Sequence, residues 1–389
     1  MIAVMRATSI TLLAATWLLA APAHAAATQQ GLFAEAAMGP LVIVGGNLDS
    51  ANEPIYRAIL GLRHEDGPIC VIPAPDVEPE HTVESYVADF ERYGGPGSAV
   101  AVPALHLRAD RVDKPKTAKA LASCGGFFFT GGDGASLLEA LRPGGHTSRA
   151  LQAILDVHRD GGVIAGSSAG AAMLTDSMIG TGTSEAALLH GANAEGVELR
   201  AGMGLFRGAI ADQHHMARGR TGRLLVALAS LPSIRWGFGI DEDTALVVRG
   251  TQATIVGASQ VVILEKVRTG AGANPLDGSR FRMLLLGNND AFDLMGGTAA
   301  VDGRKEVLHQ PQVKPVAPSG PWIASGLPLF IIDLAVSDAP SATFTSSGFR
   351  FELVKEDPFQ ARAGELPDGR HVPHGFSAGW FRIDISRGK

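Results

Sequence analysis

Cysteine is scarce in this chain of 389 residues, with only Cys70 and Cys124. Each lies at the edge of an apolar, strand-like run, and neither stands near a histidine in a spacing typical of a metal site or of a cysteine nucleophile. We expect two buried thiols, with a single disulfide between them as the alternative.

The chain also lacks a basic block and a long apolar run. Its net charge is -6, with acids and bases interspersed, which argues against nucleic acid or an anionic membrane as a partner. The apolar run 10–19 is too short to span a membrane. Together with Arg6 before it and Ala23-His24-Ala25 after it, this run is typical of a secretory signal peptide over residues 1–25. No cysteine follows the cleavage site to carry a lipid. We therefore expect a soluble exported protein, periplasmic or extracellular, whose partner is a small molecule or a peptide.

What is present is an alternation of strands and helices. Apolar runs of strand length alternate with helix-like segments, and this predicts an α/β fold whose parallel sheet is covered on both faces. The predicted strands are 41–47, 69–72, 99–102, 127–130 and 163–165, and the predicted helices are 53–62, 83–93, 116–122 and 148–159.

Residues 166–170 have the pattern Gly-x-Ser-x-Gly between a strand and a helix. Such a turn exposes a serine oxygen at the end of a sheet, so Ser168 is a candidate nucleophile; the alternative is a tight strand-to-helix crossing. Gly131 and Gly132 follow another strand at the same carboxyl edge. Their amides, with that of Ala169, are candidates for an oxyanion hole, unless they only form a turn.

Three groups downstream are candidates to complete a site. His214 follows an apolar strand and is a candidate general base, with a surface or capping histidine as the alternative. An arginine run indicates an anionic partner such as a substrate carboxylate, or else a solvated basic face. One acid of the turn 241–243 is a candidate to orient the imidazole, unless this is only an exposed acidic turn. The arginines are Arg218, Arg220 and Arg223.

Several motifs occur in a fixed order along the chain. They are Phe-Phe-Thr-Gly-Gly-Asp at 128–133, Gly-Ser-Ser-Ala-Gly-Ala at 166–171, Asp-Gln-His at 212–214, the arginine run, and Gly-Ile-Asp-Glu-Asp-Thr-Ala at 239–245. Together they resemble the cyanophycinase branch of the serine peptidases that also contain the aspartyl dipeptidases. The resemblance covers roughly residues 40–297, since 283–294 is similar to that family's closing strand.

The resemblance implies a doubly wound, mostly parallel sheet like that of class I glutamine amidotransferases. It implies Ser168 as nucleophile, His214 as general base and Glu242 as the orienting acid, without a metal or cofactor. The positions that line the family's substrate pocket are Asp212, Gln213, Arg218, Arg220 and Arg223. Cyanophycinases release β-aspartyl-arginine from a polymer with an aspartate backbone and arginine branches. One position departs from the pattern, because Gly134 stands where the family places a glutamine that reaches into the pocket.

We therefore expect a leader at 1–25, a catalytic domain at 38–297 and a C-terminal extension at 298–389. The extension is an appended module or a decoration of the sheet, and its His371 and His374 lack a third ligand for a metal. The alternatives are an aspartyl dipeptidase that acts on free dipeptides and an inactive secreted binding protein. An α/β-hydrolase esterase fits less well, because that fold places its acid before a late histidine. A homodimer is one alternative for the assembly.

Overall fold

A computed structural model describes residues 38–64, 67–75, 79–102, 110–271, 274–324, 326–364 and 375–388. The expected leader at 1–25 and the pair His371 and His374 lie outside the described residues. Within these ranges, no helix is long and apolar enough to cross a membrane.

The strands and helices alternate through the first half of the chain, and strands predominate later. In chain order the strands are β1 (Leu41–Val44), β2 (Ile69–Ile72), β3 (Ala99–Ala101), β4 (Gly126–Phe129), β5 (Val163–Ser167), β6 (Ser177–Ile179), β7 (Leu199–Ala201), β8 (Ala209–Asp212), β9 (Trp236–Ile240), β10 (Thr244–Arg249), β11 (Gln252–Gly257), β12 (Gln260–Arg268), β13 (Arg280–Gly287), β14 (Ala291–Asp293), β15 (Thr298–Ala300), β16 (Glu306–Leu308), β17 (Ser341–Ser346), β18 (Phe349–Lys355), β19 (Ala361–Ala363) and β20 (Ser377–Arg387). The helices are α1 (Glu53–Leu60), α2 (Pro79–Gly94), α3 (Pro115–Leu121), α4 (Gly134–Leu141), α5 (Arg149–Arg159), α6 (Ala169–Ala172), α7 (Ser184–His190), α8 (Thr221–Ser230) and α9 (Leu327–Val336).

The first sheet has the strand order β15-β14-β11-β10-β1-β5-β4-β2-β3. Strands β1 to β5 pair in parallel, whereas β10, β11, β14 and β15 continue the sheet in antiparallel pairs. The fold is thus α/β, but the expected mostly parallel sheet is only half correct. The reason is that β10 and β11 are joined by the two-residue turn Gly250-Thr251, and so short a connection permits only an antiparallel pair.

A second sheet was not predicted from the sequence. Its strand order is β16-β19-β20-β13-β12-β9-β8. In addition, β18 pairs with β20, and β17 pairs with β18. Apart from the parallel pair of β8 with β9, the strand pairs of this sheet are antiparallel. The segment after residue 297 therefore adds strands to both sheets, since β15 also pairs with β14 in the first.

Alternating side chains of the strands form separate hydrophobic cores. In β1, Val42 and Val44 pack on the side of α1 and α2, while Leu41 and Ile43 face the core between the two sheets. Helices α8 and α9 contribute to a third core with inward side chains of β12, β13 and β20. The result is a layered molecule in which the first sheet is buried on both faces, and its strand ends are held in fixed positions.

Cys70 and Cys124 form a disulfide with a Cα–Cα distance of 5.8 Å. The expectation of two free thiols is therefore wrong. The reason lies in the pairing of the strands: β2 and β4 are parallel neighbours, with Cys70 opposite Phe127, so Cys124 just before β4 lies close to Cys70. A separation of 54 residues in the sequence gave no sign of this contact.

Candidate active site

The Gly-x-Ser-x-Gly turn lies at the carboxyl end of β5, between the parallel strands β1 and β4 of the first sheet. Ser168 has φ 55° and ψ -120°, a conformation that costs a non-glycine residue free energy. The turn is tight because a Cβ on Gly170 would lie 2.5 Å from the Phe129 carbonyl oxygen of the neighbouring strand. This geometry holds the Ser168 hydroxyl outward at the edge of the sheet.

His214 and Glu242 reach Ser168 from the second sheet. They follow the parallel neighbours β8 and β9, whose carboxyl ends lie side by side. Ser168 Oγ lies 2.7 Å from His214 Nε2, and His214 Nδ1 lies 2.6 Å from Glu242 Oε1. The His214 amide also donates to the Gly45 carbonyl beyond β1, at 2.7 Å, which connects the histidine to the first sheet. The structure thus brings the predicted serine, histidine and acid into one hydrogen-bonded chain.

The electrostatics of the site favour a neutral imidazole beside an ionised acid. Burial lowers the pKa of His214, and the hydrogen bond to Glu242 only partly opposes this. For Glu242, burial alone raises the pKa, but hydrogen bonds from His214 and Asn47 outweigh it and the pKa lies below its usual range. A neutral histidine next to the serine hydroxyl can accept its proton, as nucleophilic catalysis by serine requires.

The predicted oxyanion donors stand next to the serine. A Cβ on Gly131 would lie 3.4 Å from Ser168 Cβ and 3.9 Å from Ser168 Oγ, so this backbone borders the serine side chain directly. Gly132 has φ 133° and lies against the Pro75 carbonyl, which limits the position to glycine. The amides of Gly131, Gly132 and Ala169 donate to no other residue that the structure describes. Those N–H groups are therefore available to an oxygen bound beside Ser168.

The five predicted pocket residues do not all face the cleft. Arg218 lines it, and its Nε lies 3.8 Å from Glu242 Oε1. Arg220 is half-buried and donates to the Gln213 carbonyl at 2.7 Å, and burial lowers its pKa to about 10. Gln213 has a buried Oε1 without a hydrogen-bond partner in the described part of the chain.

Asp212 and Arg223 lie in the interior instead of lining the pocket. Arg223 Nε donates to Asp212 Oδ2 at 3.0 Å and Nη2 donates to Oδ1, while Nη1 donates to the Gly182 carbonyl at 2.7 Å. The Arg223 side chain is 4% exposed and the Asp212 side chain is 0% exposed. The difference from the expectation has a physical reason: the carboxylate at the end of β8 is fully buried, and a buried charge needs a partner. The first turn of α8 supplies that partner.

Gly134, which stands in place of the expected glutamine, leaves no room for a side chain. It is the first residue of α4 and is buried. A Cβ there would lie 2.7 Å from the Ala169 carbonyl oxygen and 3.3 Å from Ala169 Cβ. Helices α4 and α6 therefore approach each other closely at this point, and a glutamine would force them apart.

Sequence reasoning missed part of the cleft, which has a volume of about 610 Å³. Its wall includes Asn47, Leu48 and Asp49 after β1, Thr82 and Tyr86 of α2, and Ser167. The residues after β1 could have been predicted to line the cleft, because Gly45-Gly46-Asn47 ends a parallel strand at the same edge of the sheet as the Gly-x-Ser-x-Gly turn. Tyr86 lies on a helix with no motif, so no signal in the sequence pointed to it.

Comparison with known proteins identifies the family of this chain. The model of peptidase family S51 matches residues 41–256, more than half of the chain. The chain belongs to peptidase family S51. This S51 peptidase is 31% identical over 268 residues to a cyanophycinase of Trichormus variabilis and to one of Nostoc sp., covering 65% of this chain and 85% of each relative. A cyanophycinase of Geminocystis herdmanii is 29% identical over 264 residues, covering 65% of this chain and 93% of the relative.

Two solved structures also match this S51 peptidase. A peptidase from an acI-B1 Actinobacterium is 22% identical with a TM-score of 0.45, and the match covers 58% of this chain and 91% of that one. A putative peptidase E from Listeria monocytogenes is 16% identical with a TM-score of 0.36, covering 57% and 100%. Family membership makes the protein a serine-type peptidase. Ser168, His214 and Glu242 all lie inside the matched region.

Proposed function

We propose that this S51 peptidase hydrolyses peptide bonds next to aspartate through an acyl-enzyme on Ser168. The observation that carries the proposal is the hydrogen-bonded chain from Ser168 through His214 to Glu242 in an open cleft. The order of these groups and their protonation states are those of a serine nucleophile with its base and orienting acid.

The proposed reaction has two half-steps. Ser168 Oγ attacks the scissile carbonyl carbon while its proton passes to His214 Nε2, and Glu242 holds Nδ1 of the resulting imidazolium. The carbonyl oxygen, now negative, is bound by the amides of Gly131, Gly132 and Ala169. The C–N bond breaks as the leaving amine takes the proton from His214. Water then attacks the ester, gives its proton to His214, and the acid is released as Ser168 regains its hydrogen.

The substrate we propose is cyanophycin, cleaved to β-aspartyl-arginine. The curated relatives are cyanophycinases, and the cleft offers both charges that such a substrate requires. Arg218 lines the cleft and is suited to bind an aspartyl carboxylate by a charge-assisted hydrogen bond, and Asp49 also lines it and is an acceptor for a guanidinium. Arg220 donates to the Gln213 carbonyl and Arg223 pairs with Asp212, so these four residues support the loop that carries Arg218 and do not line the cleft.

A comparison of substrates tests this proposal. The purified protein is incubated with insoluble cyanophycin, with free β-Asp-Arg, and with Asp-X dipeptides whose second residue is neutral. We expect soluble β-Asp-Arg to appear from the polymer, with little hydrolysis of the dipeptides. Preferential hydrolysis of Asp-X would instead assign an aspartyl dipeptidase. Binding of the polymer without turnover would identify an inactive binding protein.

The pH dependence of activity provides a second test. In the free enzyme the acid limb of kcat/KM reports the deprotonation of the base. Because burial lowers the pKa of His214 below its ordinary value of 6.5, we expect the midpoint of that limb below 6.5. Glu242→Gln removes a group that raises this pKa, so its limb should lie at still lower pH and its maximum rate should fall. A wild-type midpoint above 6.5 would contradict the assignment of a buried neutral base.

Two further proposals concern export and the fold. We propose that the protein is exported, since the leader pattern at 1–25 and the Cys70–Cys124 disulfide both suit an oxidising compartment. We also propose that the parallel strands β1 to β5 form a doubly wound unit of the class I glutamine amidotransferase type, with the elbow after β5. The reaction as written needs no metal or cofactor, and a homodimer remains a prediction.

A further inference from the structure

The loop that follows β1 contacts the acid of the catalytic chain directly. Asn47 Nδ2 donates to Glu242 Oε2 at 3.0 Å, while Glu242 Oε1 accepts a hydrogen bond from His214 Nδ1 at 2.6 Å. Both oxygens of the carboxylate are therefore engaged, one by the histidine and one by the asparagine. This fixes the rotation of the carboxylate about its own axis as well as its position.

The orientation of the Glu242 carboxylate matters because Arg218 lies close enough to compete for it. The Glu242 side chain is 26% exposed, and Arg218 Nε lies only 3.8 Å from Oε1. The two groups already form an ion pair at this distance, and a carboxylate free to turn would come within hydrogen-bonding distance of the guanidinium, because an arginine fork matches a carboxylate in two places. The hydrogen bond from Asn47 holds Glu242 on His214 and leaves the donors of Arg218 for an anionic ligand.

The backbone at this point is built around the histidine. Asn47 has φ 47°, in the left-handed region that asparagine tolerates better than most residues. Just before it, a Cβ on Gly46 would lie 2.3 Å from His214 Cε1, so the chain passes directly against the imidazole. The position that carries the amide to Glu242 is thus set by a contact with His214 itself.

The acidic turn after β9 anchors this loop from the other side. Asp243 Oδ1 accepts from the Asp49 amide at 3.0 Å and from Asn52 Nδ2 at 2.8 Å, and the Asp243 amide donates to the Gly46 carbonyl at 2.8 Å. The preceding Asp241 accepts from the amides of Met216 and Ala217 in the loop that carries His214. The acids on either side of Glu242 therefore hold the two loops between which it works.

We propose that Asn47 is a positioning residue for the reaction, the fourth member of the chain Ser168–His214–Glu242–Asn47, and that it keeps Glu242 hydrogen-bonded to His214 and beyond hydrogen-bonding distance of Arg218. This inference rests on the proposed function. It concerns the orientation of the acid and is independent of which substrate occupies the cleft.

The test compares two substitutions that suit the left-handed backbone at position 47. Asn47→Gly removes only the side chain, and we expect kcat to fall roughly 10- to 100-fold with KM nearly unchanged, as a misplaced catalytic group gives. The rate of labelling of Ser168 by a fluorophosphonate probe should fall in parallel. Asn47→Asp places a second carboxylate against Glu242 and adds negative charge near His214. Its charge should move the acid limb of kcat/KM to higher pH, which checks that position 47 lies close to His214, while the loss of kcat at nearly unchanged KM in Asn47→Gly tests the positioning role.

Asn52→Ala is the matched control, since Asn52 lies in the same loop and donates to Asp243 instead of Glu242. We expect it to leave the acid limb in place and to reduce kcat far less than Asn47→Gly. Equal losses in the two variants, or an Asn47→Gly enzyme within about twofold of wild type, would overturn the inference while the nucleophile assignment stands. A wild-type protein that neither hydrolyses nor is labelled would instead overturn the proposed function, and this inference with it.

Discussion

Replacing Ser168 by alanine is expected to lower kcat by at least about 10⁴-fold, because Ser168 carries the cleft hydroxyl that is hydrogen-bonded to His214, at 2.7 Å. The residual rate would come from the oxyanion donors and from substrate binding alone. The measurement is hydrolysis of the preferred substrate by wild type and variant at equal concentrations. Mass spectrometry after treatment with a fluorophosphonate probe should find the adduct on Ser168 in the wild type and no adduct in the variant.

Stability measurements on the same position separate loss of chemistry from loss of fold. Ser168 has φ 55°, so both serine and alanine are strained there, whereas glycine is not. The free energy of unfolding of Ser168→Gly should therefore be roughly 1 kcal/mol or more above that of Ser168→Ala. Both variants should be inactive. Ser230→Ala is a suitable control, since its hydroxyl only caps the Val226 carbonyl within α8. Hydrolysis by Ser168→Ala at the wild-type rate would refute the nucleophile assignment.

The elbow and the strands around it were predictable because their signals are local. A strand of apolar residues, a Gly-x-Ser-x-Gly turn and a helix occupy one stretch of chain, and the glycine at 170 is required by contact with the adjacent strand at Phe129. The order of the strands was not needed to place Ser168 at the carboxyl edge. For the same reason Gly131 and Gly132 were found, since they end the neighbouring strand.

What the sequence did not reveal depends on contacts between distant segments. The second sheet pairs β13 with β20, about 100 residues apart, and no short pattern specifies such a partner. The Cys70–Cys124 disulfide required the knowledge that β2 and β4 are neighbours. Asn47 carried no motif, because its role is set by Glu242, which is 195 residues away.

For the arginine run, the sequence predicted that the guanidinium groups need anionic partners but not which of them face the cleft. Its three side chains are progressively less exposed, at 53% for Arg218, 15% for Arg220 and 4% for Arg223. The chain passes here from the rim of the cleft into the first turn of α8, which packs in the third core. The spacing of two or three residues between these arginines does not show that the chain turns from the surface into the core. Arg218 therefore lines the cleft, whereas Arg223 lies in the interior.

Because Arg223 lies in the interior, the second large effect is expected on the free energy of unfolding. Asp212→Asn keeps the shape of the side chain but leaves the Arg223 guanidinium buried without a countercharge, and we expect the free energy of unfolding to fall by about 3–5 kcal/mol. Chemical denaturation monitored by circular dichroism measures this. Arg218→Gln is the matched comparison: it removes an exposed arginine of the cleft, so KM should rise while stability changes little.

The pH dependence of this effect has a definite sign. Burial on its own raises the pKa of Asp212, but the charge of Arg223 and its hydrogen bonds outweigh it, and the nearby His215 acts in the same direction, so the pKa of Asp212 in the folded protein lies well below the usual range. The stabilisation is therefore complete above the pKa of the unfolded chain, about 3.9, and is lost as the pH falls toward the folded value. The stability difference between wild type and Asp212→Asn should be constant near neutrality and shrink in acid.

A double substitution decides whether the pair is structural. If the pair is structural, replacing both residues with apolar ones, as in Asp212→Leu with Arg223→Met, should cost less stability than Asp212→Asn alone. The fully buried guanidinium is removed, and Arg220, which lies 3.9 Å from Asp212, keeps its hydrogen bond to the Gln213 carbonyl. KM of the refolded double variant should then stay near that of the wild type. A variant of Asp212 that keeps wild-type stability but shows a raised KM would return this carboxylate to the substrate pocket, where the family motif first placed it. The same experiment thus distinguishes an arginine that binds substrate from one that holds the wall of the site in place.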